Sequence, residues 1–139
     1  MLLLDTHVWV WSVEGDVKRI GPKARRTLGR AAGRGEIRIS PASVFEVTAL
    51  CVCGRLRFAQ SAEQWINEAL STPGVRVAEL TVAIAIDAGH VPRTALADPM
   101  DRLLVATARR LDATLLTVDQ PILAYASDNR GVRVVNASR

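Results

Sequence analysis

The sequence predicts an α/β fold, a mainly parallel sheet of about five strands with helices on both faces. Two observations lead there. Short apolar runs alternate with longer segments of helical periodicity, the pattern of a parallel sheet with right-handed crossovers. The 139 residues, 49% of them hydrophobic, give enough apolar mass for a real core in one domain over residues 1–139, with no linker, internal repeat or low-complexity stretch.

The strands read as 2–4 (LLL), 37–40, 75–80, 114–117 and 132–135. After the first, Asp5-Thr6-His7 leads into a short Trp-rich helix to about Val13. Gly21-Pro22 opens a second helix, running to about Gly33. Ser40-Pro41, a serine cap with proline at the first helical position, starts a third ending near Gly54. Helices over 61–71 and 81–89 flank the third strand, Asp98 to Leu111 forms the next, and 121–126 the last.

No apolar run approaches the roughly 20 residues of a membrane span. The three leucines at the N-terminus have no basic segment before them and a charge just after, unlike a secretory signal, so a cytoplasmic location is expected. Cys51 and Cys53, at i and i+2 of a helix, point apart and are read as buried structural thiols. His7 and His90 match no zinc spacing. The 18 basic against 14 acidic residues include only two lysines, and Arg, with its planar fork, favours phosphate or an acidic protein partner. Lys23, Arg26, Arg30 and Arg34 share one face of the second helix, opposite Ala24, Leu28 and Ala31, so that face either meets RNA phosphate, contacts a protein, or is simply solvated.

Four acids stand where acids are costly. Asp5 closes the first strand, and Asp119 follows the strand 114–117, on the rim where function gathers in such sheets. Glu46 shares a helix stripe with Ala42, Ala49, Leu50 and Cys53, with no Lys or Arg within a turn. Asp98 before Pro99 is a cap, and Asp101, on a stripe with Val105 and Ala108, turns inward. Two carboxylates about 4 Å apart repel by about 4 kcal/mol at an effective dielectric of 20. Hard divalent cations, Mg²⁺ or Mn²⁺, relieve this and prefer carboxylate oxygens. With an Arg-weighted surface, the set points to metal-assisted phosphodiester hydrolysis, which needs no side-chain nucleophile. No Walker loop or G-x-S-x-G elbow is present.

The stretches LLLDTHVWVW, SPASVFEV, ADPMDRLLVATA and LLTVD, in this order and spacing, resemble a PIN domain, and more narrowly the toxin of a VapBC-type toxin–antitoxin pair. That resemblance implies a three-layer α/β/α fold and a Mg²⁺- or Mn²⁺-dependent endoribonuclease. It also implies a homodimer with RNA as substrate and a cognate VapB-type antitoxin as partner. Asp5, Glu46, Asp101 and Asp119 match the family's four acids, Thr6 and Thr117 its hydroxyl positions, and Asp98 a supporting or capping group. Leu96-Ala97 depart from relatives that carry His and a polar residue there. A non-catalytic RNA- or protein-binding module of the same fold is one alternative. A phosphorelay receiver domain is another, but it should have paired acids after the first strand and a late lysine, and both lysines here lie early.

Overall fold

The computed structural model describes residues 1–128 and 131–139. The chain alternates as β1 (Leu2–Leu4), α1 (Thr6–Glu14), α2 (Pro22–Gly33), β2 (Ile37–Ile39), α3 (Pro41–Val52) and α4 (Ala62–Leu70). It continues as β3 (Val75–Val77), α5 (Val82–His90), α6 (Pro99–Leu111), β4 (Thr114–Thr117), α7 (Gln120–Ser127) and β5 (Arg133–Asn136). All the strand pairings are parallel, in the order β3-β2-β1-β4-β5.

The all-leucine first strand follows from its place at the centre of the sheet. Both faces of such a sheet are covered, so its strands lose the polar alternation of a half-exposed one. Leu2 and Leu4 point to one side, where they pack with Trp9, Val47 and Trp65 of α1, α3 and α4 and with Ala24 and Ala31 of α2. Leu3 points to the other, against Leu104, Val105, Ala108, Ile122 and Leu115. Helix α6 is buried almost all round in its middle because α5 closes over it, with Ile84 and Ala88 against Ala106. This is the α/β/α sandwich that the alternation predicted.

Element ends moved by a few residues. β2 and β3 stop at Ile39 and Val77 rather than 40 and 80. Ser40 turns away to cap α3 by accepting from Ala42 N, and Ala78 makes one last bond to the Ile39 carbonyl (2.8 Å) before the chain leaves the sheet. β5 lies one residue later than expected, at 133–136, and α3 ends at Val52. The thiol expectation needs correcting. Both cysteines are free, but Cys51 is half-buried and Cys53 exposed, because the last turn of α3 projects beyond the core. Both histidines are exposed. Among the described residues, no helix is long and apolar enough to cross a membrane.

One close approach locks α2 to the sheet. Gly74, just before β3, has φ +86°, and a Cβ there would lie 2.3 Å from the Ala32 carbonyl oxygen at the end of α2. A side chain is therefore opposed by both the left-handed backbone and the helix. Gly74→Ala is expected to cost roughly 2–3 kcal/mol, read as a drop in the denaturation midpoint at unchanged m-value. An unaltered midpoint would mean that this contact is slack.

Candidate active site

Strand order reverses beside β1: the chain moves from β1 out to β3 on one side, then returns with β4 and β5 on the other. Loops leaving the carboxyl ends of β1 and β4 diverge at such a point and leave a crevice. Asp5 and Asp119 stand on its two lips.

Asp5 is buried, at 9% exposure, and is held at both oxygens. Oδ1 of this N-cap of α1 accepts from the adjacent Thr6 amide (2.7 Å), and Oδ2 accepts a short hydrogen bond from the Thr117 hydroxyl. The Thr117 oxygen in turn accepts from the Asp119 amide (3.0 Å). Asp119 caps α7 through Oδ1, which accepts from Ile122 N (3.0 Å). One threonine, wholly buried at the end of β4, thus ties the two lips together. Thr6, buried on α1, donates to the Ser43 hydroxyl (3.0 Å) and fastens α1 to the first turn of α3.

Asp98 is exposed and caps α6, accepting from Met100 N (2.9 Å). Asp101, one turn in, lies half-buried above Val105 and Ala108, which are themselves fully buried. The inward turn read from its stripe is therefore the observed one. Burial pushes its carboxyl up to about 8, and the charges of Asp119, Asp98, Asp5 and Glu46 push it the same way. Asp5 is raised too, by burial first, with Glu46 and Asp119 adding, while its hydrogen bonds from Thr117 and Thr6 oppose the rise. Acids drawn from four separate elements thus act on one another in one cleft.

Glu46 adds its charge to Asp5 and Asp101, but the apolar stripe read for it is not the buried face of α3. Of that stripe only Ala42 is buried; Ala49 and Cys53 are exposed and Leu50 is half-buried. The deep face of α3 is instead Ala42, Ser43 and Val47, so Glu46 sits half-exposed on the flank. Ser43 is a buried polar residue beside the cleft that sequence reasoning did not single out. Its signal was there: a serine three positions before Glu46, on the face with Val47.

Among the described residues, Asp101 and Glu46 carry no hydrogen bond or ion pair through their carboxylates, and no basic group neutralises the cleft. Nor do any three His, Cys, Asp or Glu residues among them stand close enough to enclose an ion. The acids share a cleft but keep apart, as uncompensated like charges do. The donor set suits a hard divalent cation: carboxylate oxygens alone, two carboxylates fixed (Asp5, Asp119) and two without partners (Asp101, Glu46). The cleft also collects the N-termini of α1, α3, α6 and α7, whose partial positive charge offsets some of the repulsion. On α2, Lys23, Arg26, Arg30 and Arg34 are all exposed on one face while Ala24 and Ala31 are buried, as their spacing predicted.

Fold and site together define a three-layer α/β/α protein with an acidic cleft at its topological switch point. The chain belongs to the PIN domain family, whose model matches residues 2–127. It is similar to "Ribonuclease VapC22" of Mycobacterium tuberculosis, 29% identical over 125 residues that cover 89% of this chain and 91% of the relative. Among solved structures it resembles a chain of VapBC2 from Rickettsia felis bound to a promoter DNA fragment (TM-score 0.68, 17% identity, 97% of each chain). It also resembles a chain of DNA-bound VapBC from Salmonella typhimurium (TM-score 0.66, 16% identity, 97% of this chain and 96% of that one). A third is from VapBC-1 of nontypeable Haemophilus influenzae (TM-score 0.63, 18% identity, 99% and 98%). At these identities the structural likeness concerns the fold.

Proposed function

We propose that this chain, a single domain over residues 1–139, is a Mg²⁺- or Mn²⁺-dependent endoribonuclease acting as the toxin of a type II toxin–antitoxin pair. The observation that carries the reading is the mutual electrostatic influence of Asp5, Glu46, Asp101 and Asp119 in a cleft without a compensating base. The relative named a ribonuclease and the VapBC neighbours support it. They also support a VapB-type antitoxin as partner.

Asp5, Asp101, Asp119 and Glu46 would hold the cation. When bound, such an ion supplies positive charge opposite the scissile phosphate and lowers the pKa of a water. The rest falls to the chain. Thr117 and the Thr6 amide fix the direction of the Asp5 carboxylate, and Thr117 passes the same constraint to Asp119 through its amide. Thr6 and Ser43 hold α1 against α3, so that Glu46 stays within reach of Asp5. Asp98 sets the start of α6 and with it the position of Asp101. Burial of Asp5 and Asp101 strips water from them and strengthens every charge interaction in the cleft.

The basic face of α2 offers phosphate contacts through Lys23, Arg26, Arg30 and Arg34. Phe45 (63% exposed) and Val52 (84%) on α3, seven residues apart and so on one face, give apolar surface that a homodimer would cover. Expression of the chain in a bacterial host, with and without a neighbouring antitoxin gene, tests the reading as a whole. Growth arrest with new RNA fragments, both reversed by the antitoxin, is the expected result. Normal growth and intact RNA on full expression would overturn it.

A further inference from the structure

A groove of about 640 Å³ runs between the outer flank of α1 and the end of α3 with the 53–58 segment that follows it. On α1 its wall is His7, Trp11 and Glu14, successive positions of one helical stripe. On the other side stand Leu50, Arg55 and Arg57. Leu50 is one turn from Glu46 on the same face of α3, and His7 is two residues from Asp5. The two walls of the groove thus continue, along α1 and along α3, toward the elements that carry Asp5 and Glu46.

Its charges are arranged unevenly. Asp16 pairs with Arg19 (3.1 Å), and the Arg19 guanidinium lies over the Trp11 ring, 5.5 Å from its centre. The result is a flat cation-on-aromatic stack with Arg19 largely exposed, at 63% of its side chain. Arg55 and Arg57 are exposed and have no acidic partner among the described residues. Glu14, the remaining acid, lies about two turns of α1 away from the cleft.

Resting on the ribonuclease reading above, we propose that this groove is the track along which a single RNA strand leaves the cleft. Arg55 and Arg57 neutralise two consecutive phosphates, and the Arg19–Trp11 stack offers its guanidinium plane to a base. Unpaired bases stack on aromatic rings and on guanidinium planes, and single strands bind along grooves that combine such platforms with positive charge.

The test compares Arg55→Gln/Arg57→Gln with a control of equal charge change, Arg76→Gln/Arg93→Gln, in exposed positions away from the groove. Cleavage of a fluorescein-labelled 12-nucleotide single-stranded RNA is followed in Mg²⁺ over a salt series. The groove variant should raise KM about tenfold, with the loss falling in KM rather than kcat. Its log–log salt slope of kcat/KM should be shallower by about 1.4, at ~0.7 per single-strand phosphate contact. The control should match the parent. If the parent cleaves and the groove variant behaves like the control, the track is wrong and the ribonuclease reading stands. If the parent cleaves no RNA under any divalent condition, both fall together.

Discussion

Asp101→Asn should reduce RNA cleavage by about a thousandfold, roughly 4 kcal/mol of barrier, while making the metal-free protein more stable. The two effects have one origin. Asp101 is pushed from 3.8 to about 8 by burial and by four neighbouring carboxylates, so its ionised form is disfavoured in the folded chain. Between those values the folded state keeps a proton that the unfolded state has released. Stability without metal should therefore fall as pH rises from about 4 through about 8. Asparagine removes the charge at nearly constant volume, and with it most of that slope. Melting in EDTA at pH 5 and pH 8.5 reads this directly: the parent should lose several degrees between them and the variant less, with the variant about 3–6 °C higher at pH 8.5. Asp98→Ala is the contrast. Asp98 is exposed and caps α6 through Met100 N, so its loss should lower the melting temperature by about 1 kcal/mol's worth and leave part of the activity. An inactive, well-folded Asp98→Ala beside a fully active Asp101→Asn would reverse the two roles.

Asp5→Asn should be as damaging to cleavage and less simple in its effect on stability. Removing one charge from the cluster relieves Asp101 and Asp119, which stabilises. Yet Asp5 also accepts from both Thr6 N and the Thr117 hydroxyl. An asparagine oxygen can keep the Thr6 bond, but its amide group faces the threonine as a second donor. Thr117 Oγ already accepts from Asp119 N, so its own proton would lose its acceptor. One lost bond at a buried hydroxyl costs on the order of 1–2 kcal/mol, close to what the relief returns. The net melting shift should be small, within about 3 °C, with cleavage reduced about a thousandfold. Cleavage at the parental rate would remove Asp5 from the site.

Most of the architecture was legible because local chemistry and tertiary packing agree in this chain. Leu2–Leu4 is an uninterrupted apolar run because both faces of the central strand are covered. Ser40-Pro41 and Asp98-Pro99 are caps in sequence and caps in the fold. What sequence could not give was rotation about a helix axis where a helix is only partly buried. The stripe through Glu46 is regular, but which side of α3 meets the core depends on α1 and α4. There the Trp9–Trp65 contact (ring centres 5.1 Å) and the buried Ser43 turn Val47 inward and leave Ala49 and Cys53 outside. Asp101 was placed correctly because α6 is enclosed by the sheet and α5, so that Val105 and Ala108 on its stripe had to be buried. The capping duties of Asp5 and Asp119 could not be separated from a cleft role in sequence, since each residue does one and stands where it can do the other.

The most direct measurement is the rate of cleavage of a defined RNA by the purified protein as Mg²⁺ or Mn²⁺ is titrated from excess EDTA upward, with Asp5→Asn and Asp101→Asn run alongside. Four carboxylates acting as a divalent-cation centre predict no cleavage in EDTA, a saturable rise with added metal, and near-complete loss in both variants. Full-rate cleavage in excess EDTA, or parental rates from both variants, would contradict it.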